Sequence, residues 1–318
     1  MSLNYGAVIV TFNRKKLLLE AVTALLNQTE SPQKIIIIDN ASSDGTELAL
    51  SSANLLNNPI IDYHRLTTNV GGAGGFYEGV KIAEKYNFDW LSLSDDDAIF
   101  HDDYFTEMDN AVVSNPDVKA FAGTVKLVDG RIQFDQRMRL RNWTWLGELR
   151  TNPDEYDKDF DIDLLTFCGA FINMKIIRQI GLPEKGFFIW HDDIEYSIRI
   201  REHSRIINVH KAILTHKTNI PSIDYSSHYA PDWREYYGHR NHIITVLKHT
   251  KRPVLARLWV VYWILKMEYA AMFGKQFTGY RKHELLVLHR SFWDGVRNHQ
   301  GLCKKYLPRV YNLSATHN

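Results

Sequence analysis

Three consecutive aspartates, Asp95, Asp96 and Asp97, are the strongest chemical signal in the sequence, and they directly follow an apolar run. Adjacent carboxylates repel one another strongly unless a cation lies among them. In extended backbone Asp95 and Asp97 point to the same side, so they can share a divalent ion, or one can bind the ion while the other holds a ribose. Oxygen ligands suit Mg²⁺ or Mn²⁺. The alternative is a solvated acidic turn that caps a helix.

A glycine-rich segment, residues 69–76 with the sequence NVGGAGGF, lies between a predicted strand and a predicted helix. Glycines let the backbone approach a phosphate or a nucleotide, and a helix N-terminus favours negative charge. The segment is neither the dinucleotide-binding fingerprint of a first βαβ unit nor a Walker A loop, because it follows the third strand and no Gly-Lys-Ser/Thr follows it. We therefore expect either a nucleotide-binding turn or a flexible turn that requires small residues.

An acidic segment, residues 190–195 with the sequence WHDDIE, opens another predicted helix. Carboxylates near a helix N-terminus are stabilised as anions. Asp192 or Asp193 could therefore accept a proton from a hydroxyl group. The alternative is simple capping of the helix with a solvated acidic face, and the segment gains chemical meaning only if it lies near the triple aspartate.

His216 follows a predicted strand at residues 205–214. A neutral imidazole there could complete a metal site with the aspartates. The chain has 14 histidines, however, and a lone histidine is usually structural or exposed. Spacing alone leaves both interpretations open.

In the first hundred residues, apolar runs typical of strands alternate with helical patterns, and these elements must position the residues described above. This alternation predicts a parallel sheet covered on both faces, with ligands beyond the carboxyl ends of its strands. Thr11, Asp39, Arg65 and the triple aspartate fall at such ends, so we expect them on one rim. The predicted strands are Tyr5–Thr11, Lys34–Asp39, 60–65 and 89–94, and the predicted helices are Lys15–Leu26, 44–53 (capped by Ser42, Ser43 or Asp44) and 73–86.

The second half of the chain is mixed. A long polar stretch that carries Trp143 and Trp145 separates two predicted strands, and its length favours a binding loop or flap. The total length suggests one large domain or one domain plus an appendage. Because the chain becomes helical and rich in aromatic and basic residues from about residue 231, we expect a catalytic domain over residues 1–220 and a helical region, associated with a membrane or a second copy, over residues 221–318. The predicted strands are 119–128, 164–174 and 205–214, and the predicted helices are 192–203, 232–248, 254–273 and 281–299.

The totals restrict the class of protein. The 318 residues carry a net charge of +1, so nothing global indicates nucleic acid binding. Cys168 and Cys303 show no zinc-binding spacing and no disulfide framework, which fits a reducing compartment. The N-terminus lacks the features of a signal peptide, and no apolar run is long enough for a transmembrane helix. We therefore expect a cytoplasmic protein.

The predicted helix 254–273 is rich in tryptophan and tyrosine and is flanked by basic residues. Aromatic residues favour membrane interfaces, and basic residues favour anionic lipid. This helix therefore predicts peripheral contact with the inner face of the plasma membrane. The alternatives are packing on the catalytic domain and an interface with a second copy of the chain.

Taken together, these residues resemble glycosyltransferase family 2, which has the GT-A fold. The similarity spans residues 5–219 and looks most like the galactofuranosyl- and rhamnosyltransferase-like branch. It implies an α/β fold with a mixed, mostly parallel sheet flanked by helices, followed by a helical extension. The matching pieces are residues 8–14 (VIVTFNR), 38–46 (IDNASSDGT), the glycine-rich segment, the triple aspartate, the helix start at 192–195 and His216.

The resemblance implies a role for each matched position. Asp39 would read the base edge, and Asp193 would be the catalytic base with Asp192 beside it. A divalent metal, Mn²⁺ or Mg²⁺, would be bound by Asp95, Asp97 and His216. The nucleotide pocket would comprise Thr11, Asn13, Arg14, Asp39, Asn69, Gly71, Gly72, Asp95 and Asp96. The acceptor or donor sugar would contact Trp143, Trp145, Glu148, Trp190, His191 and Glu195.

The resemblance further implies an inverting transfer of a sugar from a nucleotide-diphosphate donor, UDP-galactofuranose or another UDP-sugar, to a hydroxyl of a cell-surface glycan or a lipid-linked oligosaccharide. His191 departs from the pattern of the longer galactofuranosyl polymerases, where a tryptophan directly precedes the acidic pair, and their large flanking domains have no counterpart. We therefore expect one or a few additions. The alternatives are a dTDP-rhamnose-dependent transferase, a metal-dependent phosphohydrolase and a non-enzymatic carbohydrate-binding protein.

Overall fold

The computed structural model describes residues 4–218 and 229–307. The chain divides into two compact units, of which the first comprises residues up to 140, 148–185 and 193–218. The second comprises residues 141–147, 186–192 and the C-terminal helices. Two short segments of the first 220 residues thus belong to the second unit. The predicted boundary at residue 220 lies outside the described residues.

The main sheet of the first unit is mixed, in the order β3-β2-β1-β4-β11-β6-β12-β5, with β9 paired to β12. It is parallel from β3 to β4, and β11 then runs antiparallel to both of its neighbours. A second sheet has the order β10-β7-β8. The strands are β1 (Tyr5–Thr11), β2 (Lys34–Asp39), β3 (Ile61–Arg65), β4 (Trp90–Asp95), β5 (Ala98–Phe100), β6 (Ala120–Leu127), β7 (Arg137–Leu140), β8 (Glu148–Arg150), β9 (Phe160–Ile162), β10 (Leu164–Leu165), β11 (Ala170–Asn173) and β12 (Ile206–His216).

Helices cover both faces of the main sheet. On one face α1 and α4 contribute to a cluster around Tyr5 and Phe105, and on the other α3, α5 and α6 contribute to a cluster around Val8 and Tyr196. Burial of each such side chain contributes roughly 1.5–3 kcal/mol. The helices of the first unit are α1 (Lys15–Leu26), α2 (Thr46–Ser52), α3 (Gly71–Ala83), α4 (Tyr104–Ser114), α5 (Met174–Ile180) and, from its second residue, α6 (Asp192–Arg201).

The strand register brings the predicted rim together. In the parallel pairing of β1 with β2, Thr11 lies opposite Asp39, and in that of β1 with β4, Val10 lies opposite Asp95. At the other side of the sheet, His216 ends β12 opposite Ala98, the residue that follows the triple aspartate. The prediction of a mixed sheet with parallel strands ending at one rim is confirmed.

The glycine-rich segment differs from the prediction of a turn before the helix, because Gly71 begins α3 and the following glycines form its first turn. The reason is close packing on β1. A Cβ atom at Gly75 would lie 2.5 Å from Val10 Cγ1, and one at Gly79 would lie 2.4 Å from Val8 Cγ1. Glycine costs about 1 kcal/mol inside a helix, and here it lets the helix approach the strand.

Two further expectations are wrong in detail. The predicted strand 164–174 is broken, because residues 166–169 leave the sheet between β10 and β11. The second helix begins at Thr46 after Gly45, which has a φ of 84°, and no side chain caps it. Asp44 instead accepts hydrogen bonds from the Lys15 N–H and the Thr46 hydroxyl.

The second unit contains α7 (Glu235–His249), α8 (Pro253–Phe273) and α9 (Arg281–Val296). Two buried residues of α7 hold the segment that precedes the acidic helix. Arg240 donates to the carbonyl of Phe187, and Asn241 donates to those of Phe187, Ile189 and Trp190. None of the helices in the described residues has the length and hydropathy to cross a membrane.

Candidate active site

Two of the three aspartates, Asp96 and Asp97, are buried, and both pair with Arg14. The Thr11 hydroxyl donates to Asp96 at 2.7 Å, and the Arg14 guanidinium donates to Asp97 at 2.6 Å and to Asp96 at 3.2 Å. Burial and the charges of Asp97 and Asp96 raise the pKa of Asp95 to about 7. Burial also raises the pKa of Asp96 to about 6, although Arg14 and Thr11 oppose this shift. Positive charge at this rim therefore stabilises the ionised triplet.

His216 lies against Asp97, with 3.2 Å between Nε2 and Oδ1. Its Nδ1 lies 2.7 Å from the Gln133 Oε1. An Nδ1–H that donates to this amide oxygen leaves the Nε2 lone pair of a neutral imidazole facing Asp97. In the absence of a cation, a proton at Nε2 is favoured, because the hydrogen bond and charge of Asp97 raise the pKa of His216 although burial lowers it.

Asp97 and His216 fit a divalent cation by their chemistry. A buried carboxylate oxygen and an imidazole nitrogen, the latter oriented through its other nitrogen, are the donors that Mn²⁺ accepts. Among the described residues, however, no group of three or more histidine, cysteine or acidic side chains is arranged around one point. The two side chains therefore form a partial set, which the oxygens of a bound diphosphate could complete.

The predicted base-reading residue is engaged within the protein. Asp39 is 1 % exposed, and its two carboxylate oxygens accept from the Ser42 N–H at 2.7 Å and the Tyr63 hydroxyl at 2.6 Å. Asn13 accepts from the Ser43 N–H. These bonds shape residues 40–46, of which Ser42, Ser43, Gly45 and Thr46 line, with Arg65, an open pocket beyond β2 and β3. Nucleoside recognition by Asp39 and Asn13 stays a prediction.

Asn40 anchors the glycine-rich segment, and sequence reasoning gave it no role. Its amide donates to the Gly71 carbonyl at 2.7 Å and accepts from the Val70 N–H at 3.0 Å. Asn69 accepts from the Gly71 N–H. A Cβ atom at Gly72 would have no atom within 4 Å. Gly72 therefore faces open space at the start of α3, where a ligand can approach the backbone.

Asp193 begins the part of α6 that belongs to the first unit, and Ser197 joins this helix to the second sheet. The Ser197 hydroxyl donates to the Leu165 carbonyl and accepts from the Leu165 N–H. Residues 166–169 follow directly, and Gly169 donates to the Leu93 carbonyl of β4. These four residues link β10, which holds α6, to β11, which pairs with β4, the strand that leads into the triple aspartate.

Cys168 and Arg137, which are joined by a hydrogen bond, each interact electrostatically with one of the two acidic groups. Burial lowers the pKa of Arg137, whereas the charge of Asp193 raises it. Burial raises the pKa of Cys168, and the charges of Asp95 and Asp97 add to this effect. Cys168 thus lies within electrostatic range of the triple aspartate, and Arg137 within that of Asp193.

Asp193 itself has the properties of a base that titrates near neutral pH. Its side chain is partly buried, and burial followed by the charge of Glu148 raises its pKa to about 7, although the Ile194 N–H hydrogen bond lowers it. A general base is most effective when its pKa lies near the working pH.

Glu195 has a structural role in this structure. It is fully buried and forms an ion pair with Arg199, whose guanidinium also holds the carbonyls of Ile180 and Leu182. In this position the side chain faces Arg199 inside the protein, and the predicted sugar contact stays a prediction. Asp192 is also buried, at 7 % exposure, and belongs to the second unit.

The other predicted sugar contacts are divided between the units. Glu148 is an exposed residue of β8 in the first unit. In the second unit, the ring of Trp145 stacks on that of Trp259, and His191 packs against His242. The remaining predicted contacts, Trp143 and Trp190, are 39 % and 41 % exposed.

Arg137 is a positioning residue that sequence reasoning missed. It is fully buried and donates to the carbonyls of Gly123, Gln136 and Cys168. Three arginines lie within five residues, 137–141, and nothing in the sequence distinguishes the buried one.

We expect Arg137→Met to lower the free energy of unfolding by about 2–4 kcal/mol, because buried carbonyls lose a charged donor. Arg139→Ala is the matched control. Arg139 pairs with Glu155 at the partly exposed end of the same strand, and such pairs contribute about 1 kcal/mol or less. Urea unfolding of both variants checks the prediction, and equal losses would contradict the role given to Arg137.

Comparison with known proteins identifies relatives by sequence. The sequence profile described as glycosyl transferase family 2 matches residues 7–181, more than half of the chain. Galactofuranosyltransferase GlfT1 of Mycolicibacterium smegmatis is 27 % identical over 200 residues, which are 61 % of this chain and 64 % of that protein. GlfT1 of Mycobacterium tuberculosis is 29 % identical over 197 residues, which are 61 % and 63 % of the two chains. The alignments thus span less than two thirds of each relative.

Several solved structures share the fold. GalNAc-T7 with UDP, GalNAc and Mn²⁺ has a TM-score of 0.62 at 14 % identity, covering 93 % of this chain and 58 % of that one. Staphylococcus aureus TarS 1–349 in complex with UDP-GlcNAc has a TM-score of 0.56 at 13 % identity, covering 94 % and 93 %. The mannosyltransferase PcManGT of Pyrobaculum calidifontis with GDP-Man and Mn²⁺ has a TM-score of 0.55 at 14 % identity, covering 94 % and 88 %.

These structures confirm the predicted GT-A fold. The profile match begins in β1, ends just after α5 and includes the triple aspartate. Together with the rim at the ends of β1, β2 and β4, this match shows that the chain belongs to glycosyltransferase family 2.

Proposed function

We propose that the protein transfers a sugar, with inversion, from a nucleotide-diphosphate donor to a hydroxyl of a glycan acceptor. The observation that carries this proposal is the link between the two acidic groups. Asp97 pairs with His216 at the end of β12, and Asp193 lies on a helix bonded to Leu165. The turn of residues 166–169 follows Leu165, and its Gly169 N–H donates to the Leu93 carbonyl of β4. A site for a cation and a diphosphate and a site for a base therefore adjoin the same turn.

For the donor, we propose UDP-galactofuranose. The support is the name of the relatives, which are galactofuranosyltransferases at 27 % and 29 % identity. For the acceptor, we propose a cell-surface glycan or a lipid-linked oligosaccharide, and the support is the membership of the chain in glycosyltransferase family 2.

In the proposed reaction, Asp193 accepts the proton of the acceptor hydroxyl while the oxygen of that hydroxyl attacks the anomeric carbon of the donor. The bond between that carbon and the phosphate oxygen breaks, and the nucleoside diphosphate leaves with the electron pair. A divalent cation, when bound, would absorb negative charge on the diphosphate. Asp97 and His216 would hold this cation, and Thr11 fixes Asp96 beside them. A single displacement inverts the anomeric centre.

The pH dependence of the reaction should report Asp193. The protonated carboxyl cannot accept a proton, so we expect kcat/KM to rise with pH and to level off above about 7, the pKa to which burial and Glu148 raise this group. Glu148→Gln removes a negative charge that raises this pKa, so the acidic limb should move to lower pH. Glu202→Gln, at an exposed position, should leave it in place. Equal profiles for all three proteins would contradict Asp193 as the titrating base.

Turnover with defined donors tests the function. We would incubate the full chain and Mn²⁺ with UDP-galactofuranose, dTDP-rhamnose or UDP-galactopyranose, each with and without alkyl glycoside acceptors. The proposal predicts acceptor-dependent release of UDP from UDP-galactofuranose and a product with inverted anomeric configuration. Acceptor-dependent transfer from dTDP-rhamnose and from no other donor would show that the proposed donor, UDP-galactofuranose, is wrong. Hydrolysis of the donor that is faster without an acceptor would indicate a phosphohydrolase.

A further inference from the structure

One face of α8 in the second unit is apolar and exposed, and the proposed reaction makes no use of it. The opposite face packs through Val260, Ile264 and Ala271, of which Ile264 and Ala271 join a cluster with Leu288 of α9. Large apolar side chains nevertheless continue around the rest of the helix. The exposed ones are Val254, Leu255, Leu258, Val261, Tyr262, Leu265, Tyr269, Met272 and Phe273.

These exposed residues form a continuous stripe. At 3.6 residues per turn, positions 254, 258, 261, 265, 269 and 272 follow one another along one side of the helix at spacings of three or four. Leu258 and Leu265, near the centre of the stripe, are 64 % and 58 % exposed. The 21 residues of α8 give the stripe a length of roughly 30 Å. Exposed apolar surface of this extent marks an interaction site rather than ordinary surface.

Basic residues border the stripe on both sides. By helical periodicity Arg257 lies along one edge and Lys266 along the other, and both are exposed. Residues 251–275 contain five lysines and arginines and a single acidic residue, Glu268. The aliphatic stems of such residues can cover apolar surface while their charged ends reach phosphate groups. An apolar stripe with a cationic border is complementary to an anionic lipid headgroup layer.

We infer that the exposed face of α8 binds the surface of an anionic lipid bilayer, with the helix lying in the plane of the interface. The apolar stripe enters the boundary between headgroups and acyl chains to a depth of roughly 5–10 Å. Tyr262 and Tyr269, which are 63 % and 64 % exposed, lie at the level that tyrosine prefers in membranes. Arg257 and Lys266 contact lipid phosphates. This binding is independent of the reaction proposed above and requires neither donor nor acceptor.

Vesicle flotation of the full chain tests this inference. We expect the protein to float with vesicles of phosphatidylcholine and phosphatidylglycerol and to stay largely behind with phosphatidylcholine alone. Leu258→Glu/Leu265→Glu places two charges in the stripe and should abolish flotation. The matched control Val113→Glu/Val128→Glu adds the same charge at sites that are 74 % and 70 % exposed and should float like the unchanged protein.

A second pair of variants tests the cationic border. Arg257→Gln/Lys266→Gln should lower the partition coefficient onto anionic vesicles by about 10-fold or more. Lys85→Gln/Lys175→Gln, with the same loss of charge at exposed positions of the first unit, should change it little. Circular dichroism establishes that each variant is folded.

Two outcomes would overturn the inference. One is absence of flotation by the unchanged protein with anionic vesicles. The other is a stable dimer in sedimentation experiments without lipid that Leu258→Glu/Leu265→Glu dissociates, because the stripe would then be covered by a second copy of the chain.

Discussion

Asp193→Asn is expected to lower the turnover number by about 10²–10⁴-fold, the usual contribution of a general base, while UDP binding stays unchanged. Asparagine keeps the shape of the side chain but cannot accept the proton of the acceptor hydroxyl. The pKa of Asp193 lies near 7 because of burial and the charge of Glu148, so the ionised base is available at neutral pH. Single-turnover rates with saturating donor measure the effect directly.

Two variants make this prediction specific. Asp103→Asn removes a charge at an exposed position before α4, where the carboxylate caps no helix N–H group, and it should retain full activity. Asp192→Asn changes the neighbouring carboxylate and should cost less than Asp193→Asn. Retention of turnover in Asp193→Asn, or a greater loss in Asp192→Asn, would remove Asp193 from the role of the base.

Asp97→Asn is expected to lower turnover by about 10³-fold, because a metal ion supplies several kcal/mol of transition-state stabilisation and this carboxylate faces His216. Excess Mn²⁺ should restore little of the activity. Gln133→Leu removes the hydrogen-bond partner of His216 Nδ1. It should lower the affinity for Mn²⁺ by about 10–100-fold, as loss of a hydrogen bond to a metal ligand does. In this variant, high Mn²⁺ should restore activity. The Mn²⁺ dependence of initial rates separates the two cases.

The reverse order of effects, with Gln133→Leu more damaging than Asp97→Asn at high Mn²⁺, would contradict the assignment of Asp97 as a ligand. Asp97→Asn also removes a partner of Arg14, so a stability measurement accompanies the rates. If Asp97→Asn strongly lowered the free energy of unfolding, its loss of activity would result from disruption of the rim and not from loss of a metal ligand.

The regular part of the fold could be predicted from sequence because its pattern is local. The bounds of β1, α1 and β2 agree with prediction, since each combines an uninterrupted apolar pattern with polar residues at its ends. The glycines of α3 were misassigned because their reason lies in the distant side chains Val8 and Val10. The short strand β5 and helix α4 were missed because the triple aspartate and polar residues around them obscure their apolar pattern.

The candidate site also contains residues that the sequence identifies and residues that only the structure identifies. The triple aspartate and His216 stand out in the sequence, and the structure brings Asp97 and His216 into contact. Gln133, Asn40 and Arg137 act through partners between 14 and 83 residues away. No local spacing identifies such residues, because their roles depend on how the strands pair. Glu195 shows the converse, since a residue in an acidic motif can turn inward to a structural partner, Arg199.

Calorimetric titration of the full chain with UDP, in the presence of Mn²⁺ and again with the metal chelated, tests whether the end of β4 binds a cation and a diphosphate together. We expect binding of UDP that requires Mn²⁺, that Asp97→Asn abolishes and that Asp193→Asn preserves. UDP binding of equal strength with and without Mn²⁺ and unaffected by Asp97→Asn, or no binding under either condition, would contradict a shared pocket for cation and diphosphate at the end of β4.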